Sequence, residues 1–192
     1  GIYRSTASGE PGTWQLTAGV PTADLGRIKL AVGSPIAPSN FPTFVAAVAT
    51  ADSGLHGVYR STDDGVTWTR TTAQPANIGQ TNYNLTLSVD PSNSDIIYLG
   101  MVTFYRTTDG GATWINQANG NGDGGIHVDQ HFSVVVSGRP NIFFIANDGG
   151  IWRSENANLP GQAMGWFNLN QTLNTVQFQG VAMHPTNPNY QI

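Results

Sequence analysis

The sequence predicts an all-β fold, a partial β-propeller with about four blades' worth of four-stranded antiparallel sheet. A short phrase of strand character returns four times, with its arginine at positions 4, 60, 106 and 153. The intervals are 56, 46 and 47 residues, and a period of roughly 40 to 50 residues built from short strands is typical of propeller blades. The composition, with 23 Gly, 11 Pro and 10% charged residues, favours short strands and tight turns over helices.

The repeated phrase is predicted to be the third strand of each blade. It reads G-I-Y-R-S-T at 1–6, G-V-Y-R-S-T at 57–62, T-F-Y-R-T-T at 103–108 and G-I-W-R-S-E at 150–155. Alternate residues of a strand point to opposite faces. We therefore expect Val58 and Arg60 on one face of their sheet and Tyr59 and Ser61 on the other.

The other three strands of each blade follow from apolar runs and turn residues. The first strand precedes a Pro/Asn turn and is predicted at 28–32, 84–89, 131–136 and 176–183. The second strand follows that turn and is predicted at 43–50, 96–101 and 142–146. The fourth strand is short and begins at a tryptophan: Trp14, Trp68, Trp114 and Trp166. Because the first two strands are mostly apolar, we expect them to be buried on both faces.

The domain organisation expected from these strands is one propeller fragment over 1–192. It divides into an outer half-blade (1–19), three blades (27–72, 83–118 and 131–171) and the start of a next blade (176–192). A closed four-bladed ring, in which 176–192 pair with 1–19, is the rival architecture, and the strand unfinished at Ile192 favours the open fragment. Open sheet edges need partners, so we expect the remainder of a longer chain or neighbouring subunits to cover them.

The most specific motif lies between the third and fourth strands. Residues 61–68 fit S-x-D-x-G-x-T-W completely, and residues 107–114 fit it with Thr in place of Ser. The aspartate is expected to accept hydrogen bonds from its own turn, the glycine to adopt a left-handed conformation, and the tryptophan to cover the turn. The residues predicted to have this structural role are Ser61, Asp63, Gly65, Thr67, Trp68, Thr107, Asp109, Gly111, Thr113 and Trp114. The copies at 5–14 and 154–166 are degenerate: the first lacks the aspartate and the last has Asn156 there.

With these motifs the chain resembles the Asp-box, or BNR-repeat, β-propellers, which include sialidases and xyloglucan-cleaving enzymes. The phrases G-D-G-G-I-H-V-D-Q-H at 122–131 and A-N-D-G-G-I-W-R-S at 146–154, followed by 169–188, are most similar to the sortilin-like exported bacterial proteins. The resemblance implies an extracellular or cell-surface protein. It also implies that the Asp-box hairpins lie far from the central channel, where propeller sites open.

The strongest local candidate for a site is the run His127-x-Asp129-x-His131. If this run is a strand, its three side chains share one face, and two imidazoles with a carboxylate match the ligand set of several metal sites. Asp148 or Asp123 would complete such a set. A polar network that only packs the channel mouth is the alternative. We expect His127, Asp129, His131 and Asp148 to bind a ligand; whether they bind a metal stays open, and no cofactor is expected.

Composition excludes several classes of function. The chain has no Cys, which excludes thiol catalysis. The net charge of −4, with eight Lys and Arg in total, provides no basic surface for nucleic acid. No apolar run is long enough to insert in a membrane. Glycoside hydrolysis usually needs two carboxylates flanking the bond, yet the only glutamates, Glu10 and Glu155, fall in hairpin loops. No catalytic residue is therefore assigned.

The function expected from the sequence is a non-catalytic recognition or scaffold propeller, exported or at the cell surface. Its ligand would be a polysaccharide or a protein, bound near residues 127–131. One alternative is a glycoside hydrolase of the sialidase or xyloglucanase kind, with part of its site outside these residues. A second alternative is a subunit of an extracellular assembly or filament.

Overall fold

A computed structural model describes residues 1–76, 79–118 and 125–172. It confirms the predicted fold class: within these residues there are fourteen strands, arranged as one two-stranded and three four-stranded sheets. A short 3-10 turn at Asn170–Thr172 is the only helical element in the described ranges. The described residues form part of a β-propeller.

Four units follow one another along the chain. The half-blade contains β1 (Tyr3–Arg4) and β2 (Gln15–Leu16). Blade A contains β3 (Leu25–Gly33), β4 (Thr43–Thr50), β5 (Leu55–Ser61) and β6 (Thr69–Arg70). Blade B contains β7 (Thr86–Val89), β8 (Ile97–Gly100), β9 (Phe104–Thr107) and β10 (Ile115–Asn116). Blade C contains β11 (Gln130–Val136), β12 (Arg139–Asn147), β13 (Gly150–Ser154) and β14 (Phe167–Asn168). The next-blade start expected at 176–192 lies outside the described residues.

The sheets share one topology, which gives each of them two distinct edges. Strands pair antiparallel in chain order, and the first strands β3, β7 and β11 also contact one another between sheets, so they are innermost. The first strands begin at one edge, and the loops between second and third strands lie at that same edge. We call this edge the entry face. The hairpins between third and fourth strands, here called repeat hairpins, lie at the opposite edge.

Apolar side chains fill the spaces between successive units. One cluster joins the half-blade to blade A, a second joins blades A and B, and a third joins blades B and C. Val58 belongs to the cluster against blade B, whereas its neighbour Tyr59 belongs to the cluster against the half-blade. The predicted alternation of the third strand is therefore confirmed in blade A.

The expectation that the first two strands are buried on both faces was wrong for the first strands of blades A and C. In β3, Leu30 and Val32 are 57% and 58% exposed, and in β11 Phe132 is 60% exposed. In blade B, β7 and β8 are almost wholly buried. The difference follows from position, because blade B has a complete blade on each side and blades A and C do not within the described residues.

The repeat hairpins are held by their aspartates. Asp63 accepts hydrogen bonds from the backbone N–H of Thr67 at 3.0 Å and from the hydroxyls of Thr67 and Ser61 at 2.6 and 2.7 Å. The Ser61 hydroxyl in turn accepts from the N–H of Gly65, whose φ is +79°. Asp109 holds its hairpin in the same way, so each carboxylate satisfies donors of its own turn.

The hairpin tryptophans contact the preceding unit rather than their own turn alone. Trp114 donates its indole N–H to the Ala73 carbonyl at 3.2 Å, and Trp166 donates to the Gln117 carbonyl at 2.9 Å. Trp68 differs: its backbone N–H donates to the Ala18 carbonyl at 2.9 Å, while its indole N–H is buried without a partner among the described residues. Each of these three tryptophans therefore joins two neighbouring units.

Candidate functional site

The entry face gathers exposed polar and aromatic side chains from all three complete blades. Arg27 comes from β3, Tyr83 from the loop that enters β7, His131 from β11, and Asp148 from the loop between β12 and β13. We call these four residues the Tyr83 patch. They lie near the beginnings of the innermost strands, which are the strands that contact one another between blades.

Tyr83 is held in place by the backbone of its loop. Its N–H donates to the Gln80 carbonyl at 3.0 Å, and its own carbonyl accepts from the Arg27 guanidinium at 2.6 Å. Thr81, in the same loop, donates its hydroxyl to the Gly54 carbonyl of blade A at 2.8 Å. The loop is thus fixed at both ends, yet the Tyr83 side chain is 65% exposed. The sequence analysis missed Tyr83; an aromatic directly before a predicted first strand was the available signal.

His131 and Asp148 are brought together, as the candidate set required. The His131 Nε2 lies 2.7 Å from an Asp148 carboxylate oxygen, and both side chains are about one-third exposed. The His131 ring also meets the edge of Tyr83, with ring centroids 5.1 Å apart and planes inclined by 75°. These contacts link the loop entering blade B to two elements of blade C.

His127 and Asp129 do not join His131 on a common face, so that expectation was wrong. Strand β11 begins only at Gln130, and Asp129 has a left-handed backbone with φ +65°. A left-handed residue breaks the two-residue alternation on which the prediction rested. Asp129 instead accepts from the Asn84 side-chain amide at 2.5 Å.

His127 lies in the loop ahead of β11, where it contributes mainly through its backbone. Its carbonyl accepts hydrogen bonds from the side-chain amides of Gln130 and Asn147 at 2.7 and 2.9 Å. Its ring Nδ1 lies 3.0 Å from the adjacent Val128 carbonyl. This arrangement anchors the loop and leaves the imidazole engaged with its own segment.

A metal site is not assembled by the residues that the structure describes. Within them, no group of three or more His, Asp or Glu side chains is placed to hold an ion. Asp123, considered as a further ligand, lies outside the described residues.

Among the residues that the structure describes, no helix has the length and apolar character needed to cross a membrane.

A second concave region lies away from the entry face. It encloses about 320 Å³ between blades A and B and is lined by Arg60, Arg70 and Asp95 among others. The Arg60 guanidinium is already committed, since it donates to Asp95 at 2.9 Å and to the Gly110 carbonyl at 3.2 Å. Arg60 and Asp95 therefore serve the contact between blades, and Arg70 donates to the His56 carbonyl of its own blade at 2.8 Å. The Tyr83 patch is the better candidate for recognition.

Comparison with known proteins adds a likeness in fold. No protein-family model matches the chain, and no curated protein matches it. Among solved structures it is similar to an ancestral GH74 enzyme, with a TM-score of 0.49, 14% identity and coverage of 80% of this chain and 19% of that one. It is also similar to a GH74 enzyme of Niastella koreensis, with a TM-score of 0.47, 23% identity and coverage of 70% and 22%. The chain thus spans about a fifth of the length of those structures. At this identity the likeness concerns the fold alone.

Proposed function

We propose that this chain is a recognition module that binds a polysaccharide on its entry face, at the Tyr83 patch. The observation that carries the proposal is the Tyr83 ring, which is 65% exposed although its loop is fixed by hydrogen bonds to blade A. A large aromatic side chain gains stability by burial. A rigidly presented exposed ring is therefore a surface suited to a ligand.

The chemistry around Tyr83 suits a sugar. The C–H groups of a pyranose ring pack on an aromatic face, and its hydroxyls need both donors and acceptors. The Asp148 carboxylate accepts hydrogen bonds, while the Arg27 guanidinium and the His131 imidazole supply donors. Because the patch draws on all three complete blades, a ligand that contacts every one of its groups would extend across three blades.

A glycoside hydrolase is the second candidate. The observation in its favour is that two carboxylates, Asp129 and Asp148, both belong to the entry face. Each is already paired, Asp129 with Asn84 and Asp148 with His131. A general acid and a nucleophile must reach the glycosidic bond directly, so we favour binding without hydrolysis. Release of reducing ends from a bound polysaccharide, abolished by Asp148→Asn, would favour the enzyme instead.

We also propose that the chain belongs to the Asp-box propellers of the sortilin-like kind and works outside the cell or at its surface. The hydrogen-bonded hairpins at 61–68 and 107–114 support the first part. The scarcity of lysine and the abundance of Asn, Thr and Gly support the second. Fractionation of the source cells, with detection of the chain by antibody, would test the location.

The binding proposal is tested by affinity electrophoresis of the purified chain through gels that contain soluble plant or bacterial polysaccharides. We expect at least one polysaccharide to retard the chain, and Tyr83→Ala to weaken that retardation about tenfold, because loss of one stacked ring costs about 1 to 1.5 kcal/mol. Phe41→Ala is the matched control, since Phe41 is also an exposed aromatic in a loop, at 52%. Equal loss in both variants, or no retardation by any polysaccharide, would contradict the proposal.

A further inference from the structure

The Tyr83 patch is built from segments that belong to different blades. Tyr83 lies in the loop ahead of β7 of blade B, whereas His131 lies in β11 of blade C. The loop that carries Tyr83 is fixed to blade A, through hydrogen bonds from Arg27 and Thr81. The position of the tyrosine ring relative to the imidazole therefore depends on what joins this loop to blade C.

The segment at 127–131 is held against blade B, but at a different loop. The Asp129 N–H donates to the Val102 carbonyl at 2.9 Å, in the loop between β8 and β9. The next residue, Gln130, approaches so closely that a side chain at Gly100 would place its Cβ 2.6 Å from the Gln130 Cβ. These contacts do not reach the loop ahead of β7.

A side-chain hydrogen bond joins the two segments at the entry face. The Asn84 amide donates to the Asp129 carboxylate at 2.5 Å, and a bond to a charged acceptor is stronger than one between neutral groups. Asn84 directly follows Tyr83, and Asp129 precedes His131 by two residues, so the bond lies beside the ring contact of the patch. Asn84 is itself held, since it is 1% exposed and its N–H donates to the Gln80 carbonyl at 2.8 Å.

Deeper polar contacts join the same two blades independently of this bond. The hydroxyls of Thr86 and Ser88 in β7 each lie 2.7 Å from the Ser133 hydroxyl in β11. All three side chains are buried. Loss of the bond between Asn84 and Asp129 is therefore expected to loosen the entry end of the contact without separating the blades.

We propose that Asn84 and Asp129 are positioning residues of the Tyr83 patch, an inference that rests on the proposed binding function. Their bond holds His131 and Asp148 of blade C in place beside Tyr83 of blade B, so a polysaccharide meets a surface that is already assembled. A surface that needs no ordering on binding keeps more of its interaction energy. The left-handed backbone of Asp129, with φ +65°, suits this role, because Asp and Asn adopt that conformation more readily than most residues.

Isosteric exchanges test the pair by affinity electrophoresis, in the gel whose polysaccharide retards the parent chain. Asn84→Asp brings two carboxylates together, and we expect retardation to weaken about tenfold, the factor expected if about a tenth of the molecules keep the patch assembled. The double variant Asn84→Asp with Asp129→Asn restores one donor and one acceptor in exchanged positions. It should recover most of the lost retardation, because residues in contact do not act additively.

Asn40→Asp is the matched control for the added charge. Asn40 is exposed in the loop between β3 and β4, which lies at the edge opposite the entry face. The exchange has the same size and adds the same charge as Asn84→Asp. We therefore expect this control to be retarded as the parent is.

Proton NMR of the His131 imidazole provides a measurement that needs no polysaccharide. The Tyr83 ring, with its centroid 5.1 Å from that of the imidazole, displaces the His131 resonances through its ring current, and Tyr83→Ala defines their positions without it. We expect Asn84→Asp to move these resonances toward the Tyr83→Ala positions, and the double variant to return them. A role in stability alone would lower the Tm and leave the resonances of the folded chain at their parent positions.

The two measurements distinguish failure of this inference from failure of the proposed function. If no polysaccharide retards the parent chain, the binding proposal fails, and the His131 resonances alone decide whether Asn84 and Asp129 position the patch. Parent-like resonances in Asn84→Asp would overturn the inference. A loss of retardation in Asn40→Asp equal to that in Asn84→Asp, or a double variant as impaired as Asn84→Asp alone, would overturn it as well.

Discussion

Asp63 and Asp109 show at the scale of single residues how a carboxylate can be structural. Partial burial pushes the pKa of Asp63 upward, but hydrogen bonds from Thr67 and Ser61 outweigh it and lower the pKa to about 2. The pKa of Asp109 is about 2 for the same reasons. The charged form is thus strongly preferred in the folded hairpin, and neither group is suited to deliver a proton near neutral pH.

These pKa values predict a loss of stability in acid. A carboxylate whose folded-state pKa lies below its ordinary value of about 3.8 stabilises the fold above that pH, and the contribution is lost as the pH falls toward 2. We expect the unfolding free energy, measured by urea titration with tryptophan fluorescence, to decline from about pH 4 to pH 2. Asp63→Asn with Asp109→Asn should flatten that decline.

The fourth hairpin provides the reason to expect that asparagine is tolerated. Asn156 accepts from the Gly165 N–H at 2.8 Å and from the Ser154 hydroxyl at 3.0 Å. The amide therefore takes the place of the carboxylate without a titrating group. A double variant with the same acid dependence as the parent would show that other carboxyl groups govern acid unfolding.

At the scale of elements, the repeat arginines hold one blade to the next. Arg106 is 1% exposed, and its guanidinium donates to the Ala157 carbonyl at 2.7 Å and to the Gln162 carbonyl in the hairpin of blade C. Burial lowers the pKa of this guanidinium, and the neighbouring Tyr98 opposes that change. Among the described residues no carboxylate is paired with Arg106, and backbone carbonyls are the acceptors that face its charge.

Replacement of Arg106 should therefore cost more than replacement of the equivalent arginine on blade C. Arg106→Met leaves two carbonyls without their donor, and we expect a loss of about 2 to 4 kcal/mol in unfolding free energy. Arg153→Met is the matched control, because Arg153 is at the same repeat position but makes a partly exposed ion pair with Glu155. It should cost about 0.5 kcal/mol or less. Urea unfolding at low protein concentration measures both, and equal losses would contradict the assigned role of Arg106.

Elements were more predictable from the sequence than the site was. The predicted second strand of blade A coincides with β4, because a continuous apolar run between turn residues leaves little choice of boundary. The run at 127–131 also looked like a strand, but a left-handed Asp129 and its bond to Asn84 interrupt it. That interruption depends on Asn84, which lies 45 residues away in sequence, and local periodicity carries no information about it.

At the scale of the whole molecule, one contact is repeated to build a series of sheets with two different edges. The repeat hairpins and their aspartates lie at one edge, where hydrogen bonds within and between blades occupy their polar groups. The entry face at the other edge carries Tyr83, Arg27, His131 and Asp148. The side chains of these four residues remain at least partly exposed to solvent. The polar groups of the repeat hairpins are therefore used within the fold, whereas the Tyr83 patch, which also links blades, keeps exposed surface for a ligand.

Amide hydrogen exchange with and without a retained polysaccharide is the measurement that tests this separation most directly. We expect slower exchange on binding in the segments of the entry face, 81–85, 129–131 and 148–150, and no change in the hairpins at 61–68 and 107–114. Protection confined to those hairpins, with the entry face unchanged, would contradict the assignment of recognition to the Tyr83 patch.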